Sequence, residues 1–324
     1  MSLELEVLKI LIDRHDYVSG SEIARNLGVS RSTIHKLIDS LRSKGFIIEA
    51  HPKYGYRLVD IDDLSKVSDY VKDLSTNLKF TTYFIEQCTS TQDVAESLAS
   101  QGAPEGLVVI SNTMIMGRGR LGRRWYASQG GLWFTIILRP TKVRSLHLLN
   151  LVAGIAIVKA LKNILNMDTY LKWPNDVLYN DKKLCGILVE VRAEADVIRY
   201  VLLGIGINVN NDLPEHLKAT AVTLKELLGH PVPRIPLLRA VLKNLDMGYE
   251  LLVIGEGVKV VKLWKNYSGT LGKYVKVITS EGAIEGYAVD VDVDGALIVE
   301  VGGGRREVVY SGDVIHLKRR DLSA

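Results

Sequence analysis

Apolar residues recur every three or four positions along the first part of the chain, a spacing that predicts short amphipathic helices. Leu5, Leu8, Ile10, Leu11 and Ile12 form the first stripe. Ser19-Gly20-Ser21-Glu22 opens a second helix, with Ser21 the expected N-cap, Ile23, Ala24 and Leu27 its apolar face, and Gly28 its stop. Ser30 is placed to cap a third helix reaching about Lys44, with Ile34, Leu37, Ile38 and Leu41 turned inward and Gly45 ending it. The pattern then shortens to two strands, Phe46–Ala50 and Tyr56–Val59, around a turn at His51–Gly55. Residues 61–79 are polar and read as a linker with some helix.

Beyond the linker, strand patterns fall at Leu107–Ser111, Gly131–Leu138, Val177–Tyr179, Cys185–Ala193 and Ile198–Ile207. Leu146–Leu165 is apolar nearly all round, which predicts a buried helix, and Leu237–Ile254 reads as another. Strands and helices do not alternate strictly, so the expected class is α+β, a mixed sheet with helices packed on it. From about residue 270 the period returns to two, at Tyr274–Ile278, Gly286–Val291, Ala296–Val301 and Glu307–Tyr310, with Asp294-Gly295 a hairpin signal; a small β-barrel is expected. The expected domains are a winged helix-turn-helix at 1–60, a linker at 61–79, a catalytic domain at 80–268 and a C-terminal barrel at 269–324.

A length of 324 residues suits two or three domains, at roughly 100–200 residues each. The net charge of +4 is too small to argue for nucleic acid by itself. Cys88 and Cys185 form no CxxC pair and no disulfide framework; both read as reduced core residues. The start lacks a cleavable signal pattern and no run of about 18 apolar residues occurs, so no membrane span is expected and the cytoplasm is the expected compartment.

Helix, turn, helix and a two-stranded wing form a winged DNA-binding pattern. Its reading helix would present Arg31, Ser32, Thr33, His35 and Lys36, and its wing Lys53, Tyr54 and Arg57, to phosphates and base edges. The same scaffold also serves protein-interaction modules. His15, His35 and His51 are isolated and read as surface or contact residues, not metal ligands.

Four clusters in the middle of the chain carry chemistry. Thr89-Ser90-Thr91-Gln92 stands at a helix entry, where hydroxyls and free N–H groups collect; a plain N-cap explains it equally. Gly117-Arg118-Gly119-Arg120-Leu121-Gly122-Arg123-Arg124-Trp125 puts four arginines on a glycine-rich stretch, where they repel one another unless an anion joins them. It reads as a loop closing over a charged ligand, or as a basic loop facing RNA or a membrane. Lys172-Trp173-Pro174-Asn175-Asp176, followed by Lys183–Glu190, places a lysine at a strand end, where it could neutralise a transferring phosphoryl group. Gly204-Ile205-Gly206-Ile207-Asn208-Val209-Asn210 ends an apolar strand and allows close backbone approach.

In this order and combination the clusters resemble the biotin–protein ligase family, and the flanking winged helix and C-terminal SH3-like barrel resemble its larger, bifunctional repressor members. The resemblance implies that biotin attacks ATP to give biotinyl-AMP, and that a lysine of a biotin carboxyl carrier protein then takes the biotin. It further implies magnesium held mainly by the ATP phosphates, operator DNA and a homodimer as partners, and no membrane. Ser90, Thr91, Gln92, Met114, Gly117, Arg118, Gly119, Arg120, Lys172 and Gly186 would form the biotin site, and Arg118, Arg120, Trp125, Lys172, Asn175, Asp176 and Asn208 the adenylate site, with Lys172 and Arg118 catalytic. Met114 stands where relatives usually carry glutamine. Losing one such hydrogen bond costs about 0.5–1.5 kcal/mol, so either another side chain substitutes or biotin binds less tightly. A biotin-sensing regulator with weak ligase activity, and a lipoate or octanoate transferase, are the alternatives.

Overall fold

The structure, a computed structural model, describes residues 2–14, 16–59, 62–140, 143, 145–194 and 197–317. The surface reading of His15 lies outside these residues. Helices α1 (Leu3–Arg14), α2 (Gly20–Leu27) and α3 (Arg31–Ser43) precede an antiparallel hairpin of β1 (Ile48–His51) and β2 (Gly55–Leu58). Leu8, Leu11, Ile23, Ile34, Ile38 and Leu41 are buried together. Ser30 caps α3 by accepting the Thr33 N–H at 3.1 Å. Ser19, not Ser21, caps α2: its extended backbone lets its hydroxyl accept the Glu22 N–H at 3.1 Å, so the helix already begins at Gly20.

The polar stretch read as a linker is anchored. It contains helix α4 (Val67–Val71), and Leu64, Val67, Val71 and Leu74 are buried. The Arg234 guanidinium, almost fully buried, donates to Asp62 Oδ1 at 2.5 Å, to the Asp62 carbonyl at 2.9 Å and to the Gly131 carbonyl at 2.9 Å.

The central part contains β3 (Thr81–Cys88), α5 (Thr91–Ser100), β4 (Leu107–Arg118), β5 (Arg124–Ala127), β6 (Leu132–Leu138), α6 (Leu149–Leu165), β7 (Tyr170–Lys172), β8 (Asp176–Tyr179), β9 (Lys182–Glu194), β10 (Val197–Ile207), α7 (Leu224–Leu228), α8 (Arg234–Val253) and α9 (Gly257–Tyr267). The strands lie in the order β3-β4-β6-β10-β9-β8-β7, with β5 on β4. Only β3 and β4, joined through α5, run parallel. Side chains alternate across this sheet. Val108, Ile110, Ile136, Leu138, Val201 and Leu203 share the main core with α6 and α8, whereas Val109, Ile137 and Leu202 pack under Ala95 and Ala99 of α5. The α5 face is therefore covered at one end only. Further along that face Thr135, Gly204, Gly206 and Gly186 stand in register on β6, β10 and β9. These small residues leave a hollow.

Strands β3, β5 and β7, the strand Asp313–His316 and helices α7 and α9 are elements that the sequence pattern did not predict, and β4 continues from the expected end at Ser111 to Arg118. Leu146–Leu165 is long and apolar enough to cross a membrane by length and composition, yet 78% of it is buried inside the protein. The C-terminal strands β11 (Tyr274–Thr279), β12 (Gly282–Val291), β13 (Leu297–Glu300), β14 (Arg306–Val309) and β15 (Asp313–His316) form an antiparallel sheet in the order β14-β13-β12-β11-β15. The turn at Asp294-Gly295 forms as expected: Asp292 Oδ1 accepts the N–H groups of Asp294 and Ala296, both at 2.9 Å, and Gly295 takes φ +82°.

Candidate active site

The hollow is a cavity of about 450 Å³ between the start of α5, the arginine segment, the β7–β8 turn and Asp313 of β15. Its floor is the paired glycines Gly186 and Gly206. The Trp125 indole lies on them: a Cβ at 206 would stand 2.8 Å from the ring, and one at 186 would stand 2.9 Å away. Trp125 meets Trp133 edge-on at 6.0 Å, and Lys183 Nζ lies 5.4 Å from its ring centroid. Its Nε1 is buried over Gly206 without a partner.

The start of α5 supplies one wall. Ser90 is the N-cap, accepting the Gln92 N–H at 3.2 Å. The Thr91 hydroxyl joins Thr135 at 2.9 Å, and its N–H points at Met114 Sδ at 3.3 Å. Gln92 is 3% exposed. Its Nε2 donates to Glu190 Oε2 at 3.0 Å and to the Leu188 carbonyl at 3.4 Å. Both neighbours are acceptors, which fixes the amide's orientation and leaves Oε1 without a partner. The amide oxygen is thus an unused acceptor lying over Gly204.

The arginine segment is less of a loop than its glycines suggest. Strand β4 runs through Gly117 and Arg118, a single turn covers Arg120–Gly122, and β5 follows. Leu121 (φ +55°) and Gly122 (φ +72°) make the bend. For two of the four arginines the joining anions come from the chain itself. Arg118 pairs with Asp93 and lies 3.3 Å from Glu190 Oε2. Arg123 pairs with Asp313. Arg120 reaches the Asn175 side chain at 3.3 Å, the Gly312 carbonyl at 3.2 Å and Ser311 Oγ at 3.0 Å. Arg124 lies over the Tyr126 ring at 5.0 Å. Gly117 does not line the cavity. It is buried behind the hairpin, where a Cβ would come within 2.6 Å of the Trp125 carbonyl, so its part is to let β4 and β5 approach.

Lys172 ends β7 and pairs across the turn with Asp176. Burial pushes its ammonium below the usual lysine range; Asp176 opposes this and Lys183 adds to it. Asp176 is itself held by Lys183 at 2.6 Å. Asn175 Nδ2 donates to the Ile187 carbonyl at 2.6 Å, tying the turn to β9. Asn208 is buried and its Oδ1 accepts from Asn211 at 3.3 Å. Gly117 apart, every residue expected in the biotin and adenylate sites lines this one cavity. Sequence reasoning missed Asp313, Lys183, Glu190 and Gly206. Gly206 and Lys183 lay inside motifs already singled out, whereas Asp313 comes from a distant strand that no local pattern links to the site.

In the winged part Arg31, Ser32, His35, Lys36 and Lys53 are exposed and Thr33 is half-buried. Two of the expected DNA contacts are engaged internally. Arg57 donates to Glu49 at 2.8 Å and lies over the Tyr17 ring at 4.9 Å, and His35 meets Asp39 at 3.0 Å.

Comparison with known proteins agrees with this architecture. Residues 84–208 match the Biotin/lipoate A/B protein ligase family, 4–57 an HTH domain and 270–317 the Biotin protein ligase C terminal domain. The bifunctional ligase/repressor BirA of Bacillus subtilis (strain 168) is 34% identical over 306 residues, spanning 93% of this chain and 94% of that protein. The biotin–[acetyl-CoA-carboxylase] ligase of Mycobacterium tuberculosis is 32% identical, over 72% of this chain and 88% of that protein. A solved structure of the Aquifex aeolicus biotin protein ligase in complex with biotin and ATP aligns with a TM-score of 0.65 and 31% identity, covering 72% of this chain and 97% of that one. An N-terminal helix-turn-helix, a ligase sheet and a C-terminal sheet in this order, on a chain similar along almost its whole length to a ligase/repressor, mean that the protein belongs to the biotin protein ligase family.

Proposed function

We propose that this chain activates biotin with ATP and transfers it to a lysine of a biotin carboxyl carrier protein, and that it also acts as a biotin-responsive repressor. The observation carrying this reading is the gathering of a half-buried lysine, four arginines and a glycine floor around one cavity. Biotin lies along the α5 wall with its urea toward Ser90, Thr91 and Gln92. Its carboxylate points to Lys172 and attacks the α-phosphate, forming the mixed anhydride as pyrophosphate leaves. The Lys172 ammonium, in a partly dry site, faces the charge that grows on the phosphorus oxygens. Arg118 and Arg120 hold the phosphate of the intermediate, Trp125 packs by the adenine, and Asn175, Asp176 and Asn208 support the nucleotide. The segment covering the anhydride keeps water from hydrolysing it before the carrier lysine attacks and AMP leaves.

Magnesium neutralises phosphate charge when it accompanies ATP. The cavity carboxylates Asp176 and Asp313 are each engaged by a cation, and the described residues contain no cluster of three or more metal-binding side chains. Most of the ion's ligands would therefore be phosphate oxygens, with Asp176 or Asp313 reached through water.

Residues 1–60 are proposed as the DNA-binding unit, 61–79 as an anchored connector, 80–268 as the catalytic domain and 269–324 as the C-terminal domain. A homodimer would present two reading helices to a palindromic operator. The cytoplasm is the proposed compartment, where ATP and the carrier protein meet the enzyme.

Incubation with biotin, magnesium and ATP labelled on the α-phosphate tests the reading. Labelled biotinyl-AMP and biotin-dependent pyrophosphate release are expected. Pyrophosphate release indifferent to biotin, or a preference for lipoate or octanoate in competition, would refute it. Sedimentation with and without biotinyl-AMP tests the dimer, and an unchanged monomer at micromolar protein would count against ligand-linked assembly.

A further inference from the structure

The two peptide groups that border Lys172 are both held by one segment from outside the cavity. Ser268 bridges Leu171 in parallel, and the Gly269 N–H donates to the Leu171 carbonyl at 2.8 Å. On the other side the Trp173 N–H donates to Thr270 Oγ1 at 3.1 Å. The segment can come this close only because residue 269 is glycine: a Cβ there would lie 2.1 Å from the Tyr170 ring. Thr270 is fully buried. Its oxygen accepts from Trp173, and its hydroxyl lies 3.2 Å from His316 Nε2, to which it can give its proton when that nitrogen carries none. That direction requires a neutral imidazole protonated on Nδ1. Burial holds His316 near 4, with Lys273 and Lys172 acting in the same sense and Asp181 against them. The Trp173 indole, 2% exposed, is fastened in turn by donating to the Gly295 carbonyl at 2.9 Å.

We propose that Thr270 and His316 are positioning residues for Lys172, fixing from the C-terminal part of the chain the backbone that aims the ammonium at the reacting phosphate. Neither Ser268, Gly269, Thr270 nor His316 lines the cavity, so none of them contacts substrate. With both flanking peptides pinned, the φ and ψ of Lys172 are set by a segment that also leads into β11. Accurate placement of a reacting group matters steeply, since a misplacement of about 1 Å can cost about a hundredfold in rate. This inference rests on the reading of Lys172 as the phosphate-facing group.

Thr270→Val keeps the volume and deletes the hydroxyl, Thr270→Ser keeps the hydroxyl, and His316→Leu removes the acceptor behind it. Two measurements on the full chain separate the possible failures. Amide hydrogen exchange at Trp173 reads the positioning bond whatever the substrate, and biotin-dependent pyrophosphate release reads its consequence. The expected result for Thr270→Val is faster Trp173 exchange and a kcat lowered by about tenfold or more, with the KM values for biotin and ATP within about twofold. Thr270→Ser should return kcat to within about twofold of the parent, and His316→Leu should fall between. Unchanged Trp173 exchange in Thr270→Val, a loss confined to KM, or equal damage from Val and Ser would each overturn the proposal. Lack of biotin-dependent turnover in the unmutated chain would instead overturn the functional reading, while the exchange measurement still judges the bond.

Discussion

Gly206→Ala tests whether the Trp125 platform is part of the nucleotide site. A Cβ at 206 would stand 2.8 Å from Trp125 Cε2 and Nε1 and 3.0 Å from Cζ2. Comfortable contact begins at about 3.5 Å, so the indole must retreat by about 0.7 Å. It cannot move deeper, because Gly186 and the fully buried Trp133 lie beneath and beside it. Trp133 is itself fixed by its Nε1 donating to the Ser128 carbonyl at 3.0 Å. The only free direction is into the cavity. Overpacking of this kind costs about 1–3 kcal/mol. If the strain is expressed against the ligand, ATP affinity falls by about fivefold to 150-fold, at 1.4 kcal/mol per decade. Titration calorimetry with a non-hydrolysable ATP analogue, alongside a thermal melt, measures both sides. An affinity within about twofold of the parent at unchanged melting temperature would refute the platform.

Three further outcomes are expected. Lys172→Ala should lower biotin-dependent pyrophosphate release by about 10²–10³ with an unchanged melting curve; turnover within tenfold of the parent would show that another group faces the phosphate. Arg234→Ala should cost about 3–5 kcal/mol in denaturant unfolding, because it strands Asp62 and the Gly131 carbonyl beside a nearly buried gap; a loss below about 1 kcal/mol would mean the connector is held mainly by Leu64, Val67 and Val71. His316 titrates near 4 in the folded chain against an ordinary 6.5, so as the pH falls the unfolded chain takes the proton first. It should therefore remove stability between about pH 6.5 and 4; full conversion at 1.36 kcal/mol per pKa unit sets a ceiling of about 3 kcal/mol, and solvent screening of this half-buried ring reduces the loss to about 1–2 kcal/mol. His316→Leu should flatten that part of the stability–pH curve, and identical slopes in the two proteins would contradict the burial of a neutral imidazole.

What could be read from the sequence follows from how local each signal is. Ser30 with Ile34, Ile38 and Leu41 declares α3 within a single helix, and Asp294-Gly295 declares its hairpin within one turn. The same locality made the motif clusters readable, because Ser90–Gln92, Arg118–Trp125 and Lys172–Asp176 are each short and rich in special residues. The misses lie where meaning depends on distant partners. Strand β7 is only Tyr170–Lys172, too short for any period to register. Ser21 is the expected cap of α2, but the extended backbone at Ser19 starts the helix two residues earlier than that cap implies. The 61–79 stretch looks like solvated chain because its charges outnumber its anchors. One of those charges, Asp62, has its partner at Arg234. Asp313 belongs to the cavity through Arg123, a relation that no window of the sequence contains.

The arginine segment carries its own counter-ions in Asp93, Glu190 and Asp313. Substrate arrival is then an exchange of one acid for another, not the filling of a bare positive pocket. A protein that pairs an arginine-rich mouth with a helix-turn-helix runs the risk that polyanions compete for both ends. Pairing Arg118 and Arg123 with these acids lowers that risk at the mouth: a ligand that reaches the glycine floor and offers a well-placed phosphate can displace the resident carboxylates, while nucleic acid drifting past meets a surface whose positive charge is partly offset.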